Sequence, residues 1–373
     1  MLPVLLLSVA VLAMIGTFSG VDDPDPGEDD TGDLMVGTDG QDSLYGYGGD
    51  DTLQGAGGAD LLYGGAGDDH VEGGDGQDQL YGEAGNDRIA TWSLSELDYY
   101  LGPDRPAASS AYGGEGDDTL YGMSAGDSLF GGHGDDDFEI LASGLSVEGG
   151  AGNDQTTFEV YVDDVTDDVT LRGGEGDDLL SLTGGDLRLY GDTGNDTVSA
   201  YYGDGSILDG GTGDDRLVMS GMGASCGLMG GEGNDVLIST SEGGVSNVGD
   251  GNRLNGGAGD DRIEIFYRDA STLTGGEGAD SFAVWSMGYD EFAPGTGQGA
   301  ITISDFDPEV DRLIMGNTGG QPMLRYEIDA VAGEVRVYTG QGEDEDYEEE
   351  LALRLTGLDH FDPSWITFAP VPR

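Results

Sequence analysis

From Gly37 to Ala90 the chain repeats itself every nine residues, in six contiguous blocks: GTDGQDSLY, GYGGDDTLQ, GAGGADLLY, GGAGDDHVE, GGDGQDQLY and GEAGNDRIA. Each block has glycine first and fourth, aspartate sixth and an aliphatic residue eighth. Further copies begin at Gly113, Gly131, Gly149, Gly173, Gly191, Gly210, Gly230, Gly256 and Gly275. A fixed short period marks a repeat architecture in which each block is one supersecondary unit. Its glycines allow φ > 0 in a tight turn and leave backbone carbonyls bare. The last three residues read polar, aliphatic, any, which suits a very short strand with its middle side chain turned inward. Leu44, Leu53, Leu62, Val71, Leu80 and Ile89 are the predicted inward residues.

A turn that offers carbonyls and one carboxylate is an all-oxygen donor set, the kind a hard cation prefers. Calcium takes six to eight oxygens, so one turn cannot complete its shell and the turn stacked above must supply the rest. Two blocks make one coil of two strands and two turns, which puts stacked turns about eighteen residues apart. The later copies obey this spacing, at steps of 18, 18, 24, 18, 19, 20, 26 and 19 residues. The blocks between them keep a turn but lose the ligand. In 122–130 the fourth position is Ala125, although Asp127 survives; elsewhere the sixth position is Leu145, Leu187 or Asn252. Calcium on both edges is therefore expected in the first six blocks, and mainly on one edge thereafter.

The pattern resembles the RTX calcium-binding nonapeptide, G-G-x-G-x-D-x-(aliphatic)-x, over residues 37–283. The resemblance implies an all-β fold: a right-handed parallel β-roll solenoid with calcium in its turns and a C-terminal β cap. It makes ligands of Asp42, Asp51, Asp60, Asp69, Asp78, Asp87, Asp118, Asp136, Asp154, Asp178, Asp196, Asp215, Asp235, Asp261 and Asp280, with Asp127 counted beside them. The carbonyls would come from Gly40, Gly49, Gly58, Gly67, Gly76, Gly85, Gly116, Gly134, Gly152, Gly176, Gly194, Gly213, Gly233, Gly259 and Gly278. The expected load is on the order of ten calcium ions, each shell drawing on two turns. Departures fall at Thr38, Tyr47, Ala56 and Glu83, where the second glycine is missing, and at Thr156, where the inward aliphatic is missing; weaker binding is expected there. Members of the family are commonly exported in one step and fold outside the cell.

Composition bounds the partners. Thirteen basic residues, all arginine, face seventy-five acidic ones, for a net charge of −62. Phosphate recognition needs a positive surface, so nucleic acid is excluded as a partner. Self-repulsion of this size opposes a compact metal-free state. Strong acidity with 72 glycines would ordinarily mean disorder; divalent cations reconcile that composition with the nine-residue register. The single Cys226 excludes an intramolecular disulfide.

Along the chain, residues 1–20 are read as a signal peptide or membrane anchor, since Leu2–Phe18 is almost wholly apolar. Residues 21–36 form an acidic linker, 37–90 the tandem blocks, 91–112 an insertion, 113–283 a longer-coil roll and 284–373 a C-terminal cap that in relatives also holds an export signal. In the insertion Ser93–Glu96 fits a capping box ahead of a short helix. Its Trp92, Tyr99, Tyr100 and Tyr112 either bind a sugar or partner or, as the favoured reading has it, cover an edge of the roll. Residues 158–172 alternate like an added strand pair. In the cap, 301–313 resembles the segment that closes RTX rolls, and a hairpin is expected from Leu324–Ile328 to Glu334–Tyr338, followed by a strand over Leu351–Thr356.

Catalysis is not expected. Gly223-Ala224-Ser225-Cys226-Gly227 spells G-x-S-x-G, but it lies between two turns in a region without a predicted helix, and the only histidines are His70, His133 and His360. The expected function is a secreted or surface-attached calcium-binding protein, structural or interaction-mediating. The alternatives are a carbohydrate- or matrix-binding module and a polysaccharide-modifying enzyme built on a parallel coil. Extracellular polysaccharide or the cell surface is the candidate partner besides calcium.

Overall fold

The computed structural model describes residues 31–92, 108–157, 168–201, 203, 205–221, 225–240, 251–266, 271–286, 301–317, 323–329, 333–340, 350–358 and 360–369. The chain divides into two compact units, Met1–Leu180 and Ser181–Arg373. Each is a parallel β-roll: successive short strands alternate between two sheets, and every roll strand pairs in parallel with the strand two places on. Among the described residues the only helical element is the 3-10 turn Pro363–Trp365.

In the first unit, Ser43–Gly48 pairs with Leu61–Ala66 at a shift of eighteen residues, so that Leu44 faces Leu62 and Tyr45 faces Tyr63. The other sheet pairs Thr52–Gly57 with His70–Asp75 at the same shift. The predicted inward row is the core: Leu53, Leu62, Val71, Leu80 and Ile89 are wholly inaccessible to solvent. Thr156, where an aliphatic was expected, still fills its inward position.

Register survives the insertions because each is accommodated at a turn. Gln79–Ala84 pairs with Ser110–Glu115 across the 91–112 segment without slipping, Leu80 opposite Ala111 and Tyr81 opposite Tyr112. The helix expected over 93–102 lies outside the described residues. So does 158–167; of the segment expected to form an added strand pair, the described C-terminal end enters Thr170–Glu175. It is a regular roll strand, parallel to Ser146–Ala151, with Val169 and Leu171 buried. The alternation there is that of the roll itself.

The insertion aromatics that are described belong to the packing. Tyr45, Tyr63, Tyr81, Tyr112 and Phe130 stack face to face along the outside of one sheet, with centroids 5.2, 4.6, 4.8 and 4.8 Å apart. Strand spacing sets that distance. Each inner ring has both faces covered by its neighbours, which removes Tyr112 as a stacking platform for a sugar. Trp92 packs against Ala90, Tyr121 and Met123.

In the second unit the coils carry two inward residues per strand, such as Leu217 and Met219 or Ile263 and Ile265. At its C-terminal end the strand Ile301–Ile303 pairs in parallel with Glu350–Thr356. That strand pairs antiparallel with Glu334–Gly340, which pairs antiparallel with Met323–Asp329. The other sheet ends on Ile366–Ala369 beside Arg312–Asn317. These strands satisfy backbone groups that an open coil end would leave unpaired.

Candidate metal centre

The sixth-position aspartates stand immediately before the strands, in two rows on opposite edges of the roll. One row of the first unit contains Asp42, Asp60, Asp78, Ser109, Asp127, Leu145 and Val169. The other contains Asp51, Asp69, Asp87, Asp118, Asp136, Asp154 and Asp178. In the second unit the first kind of edge carries Leu187, Ser206, Cys226, Asn252 and Ser271, and the second kind Asp196, Asp215, Asp235, Asp261, Asp280 and Asp311.

Along the aspartate edge each carboxylate reaches back one coil. Oδ1 of Asp69 accepts the Asp51 N–H at 2.8 Å, Oδ1 of Asp87 that of Asp69 at 2.8 Å, and Oδ1 of Asp118 that of Asp87 at 2.7 Å. Asp136, Asp154 and Asp178 continue the series at 2.8, 2.9 and 2.7 Å. In the second unit Asp215, Asp235, Asp261 and Asp280 accept from Asp196, Asp215, Asp235 and Asp261 at 2.8, 2.8, 2.8 and 3.0 Å. Asp311 closes that series, accepting from Asp280 at 3.0 Å.

The second oxygen is left over. Oδ2 of Asp51, Asp60, Asp69, Asp78, Asp87, Asp118, Asp136, Asp154, Asp215, Asp235 and Asp261 is buried and has no hydrogen-bond partner. Each lies over the bare Cα of the first glycine of its own block; a Cβ at Gly82 would collide with Oδ2 of Asp87, and one at Gly113 with Oδ2 of Asp118. A buried anionic oxygen without a donor is costly, and a cation at this recurring block position would offset that cost.

Like-charged neighbours sharpen the point. Burial, opposed by the backbone N–H bond and reinforced by the adjacent aspartates, pushes Asp69, Asp118, Asp136, Asp154, Asp215 and Asp261 up to about 7. Asp78 and Asp87 are raised to about 6 by the same causes. A divalent cation relieves both burdens at once.

The fourth-position glycines form their own stack. Gly67, Gly76 and Gly85 lie at φ of 135°, 148° and 133°, and a Cβ on Gly85 would strike the carbonyl oxygen of Gly67, one coil below. The bare backbone is thus required both by conformation and by close approach. Among the described residues no three acidic, histidine or cysteine side chains converge on one point, so a cation bound here draws on these backbone oxygens as well. The donor set of carboxylate and carbonyl oxygens fits calcium.

Two expected ligands differ from the rest. Oδ2 of Asp42 is taken by the N–H and hydroxyl of Thr38, at 2.6 and 2.9 Å; the threonine at the second position fills the role left open elsewhere. Asp127 is saturated by the chain. Its Oδ1 accepts from Ser109 N–H at 2.8 Å, and its Oδ2 from Thr91 Oγ1, Ser124 N–H and Met123 N–H at 2.7, 2.8 and 3.1 Å. In the second unit the edge that lacks aspartates is tied by neutral groups: Leu187 N–H to Ser206 Oγ at 3.0 Å, Cys226 N–H to Asn252 Oδ1 at 3.0 Å, and Asn252 N–H to Ser271 Oγ at 3.1 Å. Leu145 and Leu187 are simply buried.

A second ladder escapes the sequence pattern as read above. At the fifth position of the aspartate edge, Asp68 N–H donates to Asp50 Oδ1 at 3.0 Å, Asn86 to Asp68 at 2.9 Å and Asp117 to Asn86 at 3.0 Å. Asp214, Asn234 and Asp260 repeat it at 2.9, 2.7 and 2.9 Å. It runs opposite in polarity to the sixth-position ladder. A signal for it exists, since those blocks carry Asp or Asn fifth while the tandem blocks of the other edge carry Gln41, Ala59 and Gln77.

Fold and turns define a calcium-binding parallel β-roll. The model of the RTX calcium-binding nonapeptide repeat (4 copies) matches residues 29–62, 54–89, 112–139, 166–186 and 248–264. These matches place RTX calcium-binding nonapeptide repeats on the parallel β-roll of this chain. Among solved structures it is similar to a hyperactive, Ca2+-dependent, β-helical antifreeze protein from an Antarctic bacterium, at 19% identity and a TM-score of 0.40, over 78% of this chain and 96% of that one. No curated protein matches it.

The described part of the G-x-S-x-G motif leads into the strand Gly227–Glu232, not into a helix. Ser225 sits at φ 62° in a turn that leads into a strand, and the buried Cys226 thiol donates to the Gly203 carbonyl at 2.7 Å.

Proposed function

We propose that the protein is a secreted or surface-attached scaffold whose folding is driven by extracellular calcium, with a structural or interaction role and no catalysis of its own. The observation that carries this is the buried, partnerless Oδ2 repeated at the sixth position of block after block. With a charge of −62 and tandem blocks that bury one aliphatic each, ordering entropy is poorly offset until cations neutralise the turns. Extracellular calcium modules bind at roughly 10⁻⁴ to 10⁻³ M, so the chain would stay unfolded at cytosolic calcium and fold on export.

We assign the ligands to the partnerless carboxylates and leave Asp127 out, its oxygens being satisfied within the chain. Asp42 is retained as a weakened ligand. Circular dichroism with and without chelator, paired with calorimetric titration of calcium, tests the proposal. Full strand signal in chelator at pH ~8, where the aspartates are ionised, would refute it, and on the order of ten ions bound with concurrent folding supports it. Residues 1–30, which bear the export or anchor reading, lie outside the described residues; N-terminal sequencing of the secreted chain decides between cleavage near Gly20 and an intact anchor.

A further inference from the structure

The thirteen arginines of this acidic chain are not scattered evenly. In the second unit, Arg216–Ser220, Val236–Thr240 and Arg262–Phe266 are neighbours in one sheet, followed by Ser281–Ser286 and Arg312–Asn317. Register places Arg216, Val236, Arg262, Ser281 and Arg312 in one row on the outer face, beside the aspartate edge. Arginine thus recurs on every second strand, at a pitch of about 10 Å.

Next to that row lies an open groove of about 560 Å³, lined by Val218, Val236, Ile238, Thr240 and Phe266 with Arg216, Arg262 and the Glu264 carboxylate. Arg262 shares Glu264 with the indole N–H of Trp285. No ion pair with a described residue engages Arg216 or Arg312, although acidic residues outnumber basic ones by 75 to 13. Exposed guanidinium groups spaced along an aliphatic floor fit an extended polyanion that also presents apolar faces. An extended peptide returns to the same face every two residues, about 6.8 Å, which does not match the arginine pitch. In an extended β-1,4-linked acidic glycan every second sugar turns its carboxylate the same way, and the equatorial linkages keep the pyranose C–H faces flat.

We propose that this face binds a β-1,4-linked polyuronate chain, with carboxylates on Arg216, Arg262 and Arg312 and sugar rings over Val218 and Ile238. The site requires the folded, calcium-loaded roll but not export. The test is calorimetric titration of the full, calcium-saturated chain with a β-1,4-linked glucuronate hexamer, too short to gel with calcium. A neutral cello-hexaose and a hexaglutamate serve as comparison probes. Binding of the uronate alone is expected, weakened roughly tenfold by Arg216→Gln and again by Arg262→Gln. Ile238→Ser is expected to weaken it without changing charge. Circular dichroism and calcium stoichiometry on the same samples separate loss of the roll from loss of the ligand. Undiminished binding by the folded R216Q/R262Q variant would overturn the proposal, as would no binding by the folded wild type. Equal affinity for hexaglutamate would overturn it in favour of an acidic peptide.

Discussion

The backbone N–H of Asp215 donates to Oδ1 of Asp235 at 2.8 Å, while Oδ2 of the same Asp235 is buried without a donor. One carboxylate therefore does two jobs: one oxygen ties adjacent coils, the other is held for a cation. Asp235→Asn keeps an acceptor for the tie but removes the charge. It is expected to leave the calcium-loaded strand signal intact while lowering the bound calcium. Asp235→Ala is expected to lose the tie as well, costing a further ~1–3 kcal/mol, the usual cost of leaving a buried N–H such as that of Asp215 unsatisfied. Calcium titration followed by chemical denaturation at saturating calcium checks both.

Protons and calcium compete for the same oxygens. The carboxyls of Asp69, Asp118, Asp136, Asp154, Asp215 and Asp261 stand at about 7 in the folded, calcium-free roll against an ordinary 3.8. A raised folded value means that the folded state binds the proton more tightly, so the associated stability is full below about 3.8 and is lost as pH rises through about 7. In chelator, strand content is expected to be greatest near pH ~4 and to fall towards pH ~8. At fixed subsaturating calcium the trend reverses, and calcium binding releases protons. A pH series of circular dichroism spectra in chelator that rises toward alkaline pH contradicts this.

The second block position asks for a residue at positive φ in most blocks, and five blocks put something other than glycine there: Thr38, Tyr47, Ala56, Glu83 and Asp192. Tyr47, Ala56, Glu83 and Asp192 sit at φ of 73°, 73°, 80° and 73°. Left-handed backbone costs a residue with a Cβ on the order of 1 kcal/mol. Glu83→Gly is therefore expected to stabilise the calcium-loaded roll by about that amount. The check is the denaturation midpoint at saturating calcium.

Much of this was legible because the repeat is a geometric object. The eighth-position aliphatics Leu53 to Ile89 had to be the core, and an eighteen-residue shift had to be the register. What the pattern hid is what a turn does with a nonstandard residue. Asp127 keeps the sixth-position identity, yet Ala125 stands where the pattern has its fourth-position glycine, and Thr91 arrives from a neighbouring coil to make the aspartate a hydrogen-bonded plug. That contact spans 36 residues and crosses an insertion, so no local spacing announces it. Ser109 and Ser206 likewise stand in for aspartate, each hydroxyl accepting one N–H from the coil below.

Asp127→Ala separates a plug from a ligand. Removing the carboxylate strands the N–H groups of Ser109 and Ser124 in a buried place, while the Met123 N–H keeps Thr91 Oγ1 and the Thr91 hydroxyl keeps the Tyr121 carbonyl. A loss on the order of 3 kcal/mol in stability is expected. The number of calcium ions bound by the folded variant should not change. Native mass spectrometry at matched calcium reads that number, and one ion fewer would restore Asp127 to the ligand set.

The two edges should then fill unequally. In the tandem blocks both edges hold buried carboxylates with a spare oxygen, Asp60 and Asp78 on one and Asp51, Asp69 and Asp87 on the other. From Asp118 onward only one edge does, through Asp136, Asp154, Asp215, Asp235 and Asp261, while the other offers Leu145, Leu187, Ser206, Cys226 and Asn252. Neutral oxygens and aliphatics cannot balance a divalent charge in a buried turn. Anomalous scattering from crystals grown in calcium is expected to show two rows of ions up to about Ala90 and a single row beyond Gly131. Asp215→Ala should empty the two sites flanking its turn, since it lies between those of Asp196 and Asp235, whereas Asp186→Ala on the opposite edge should empty none. Equal rows of calcium on both edges beyond Gly131 would show that carbonyls alone suffice and that the partnerless carboxylate oxygens do not select the sites.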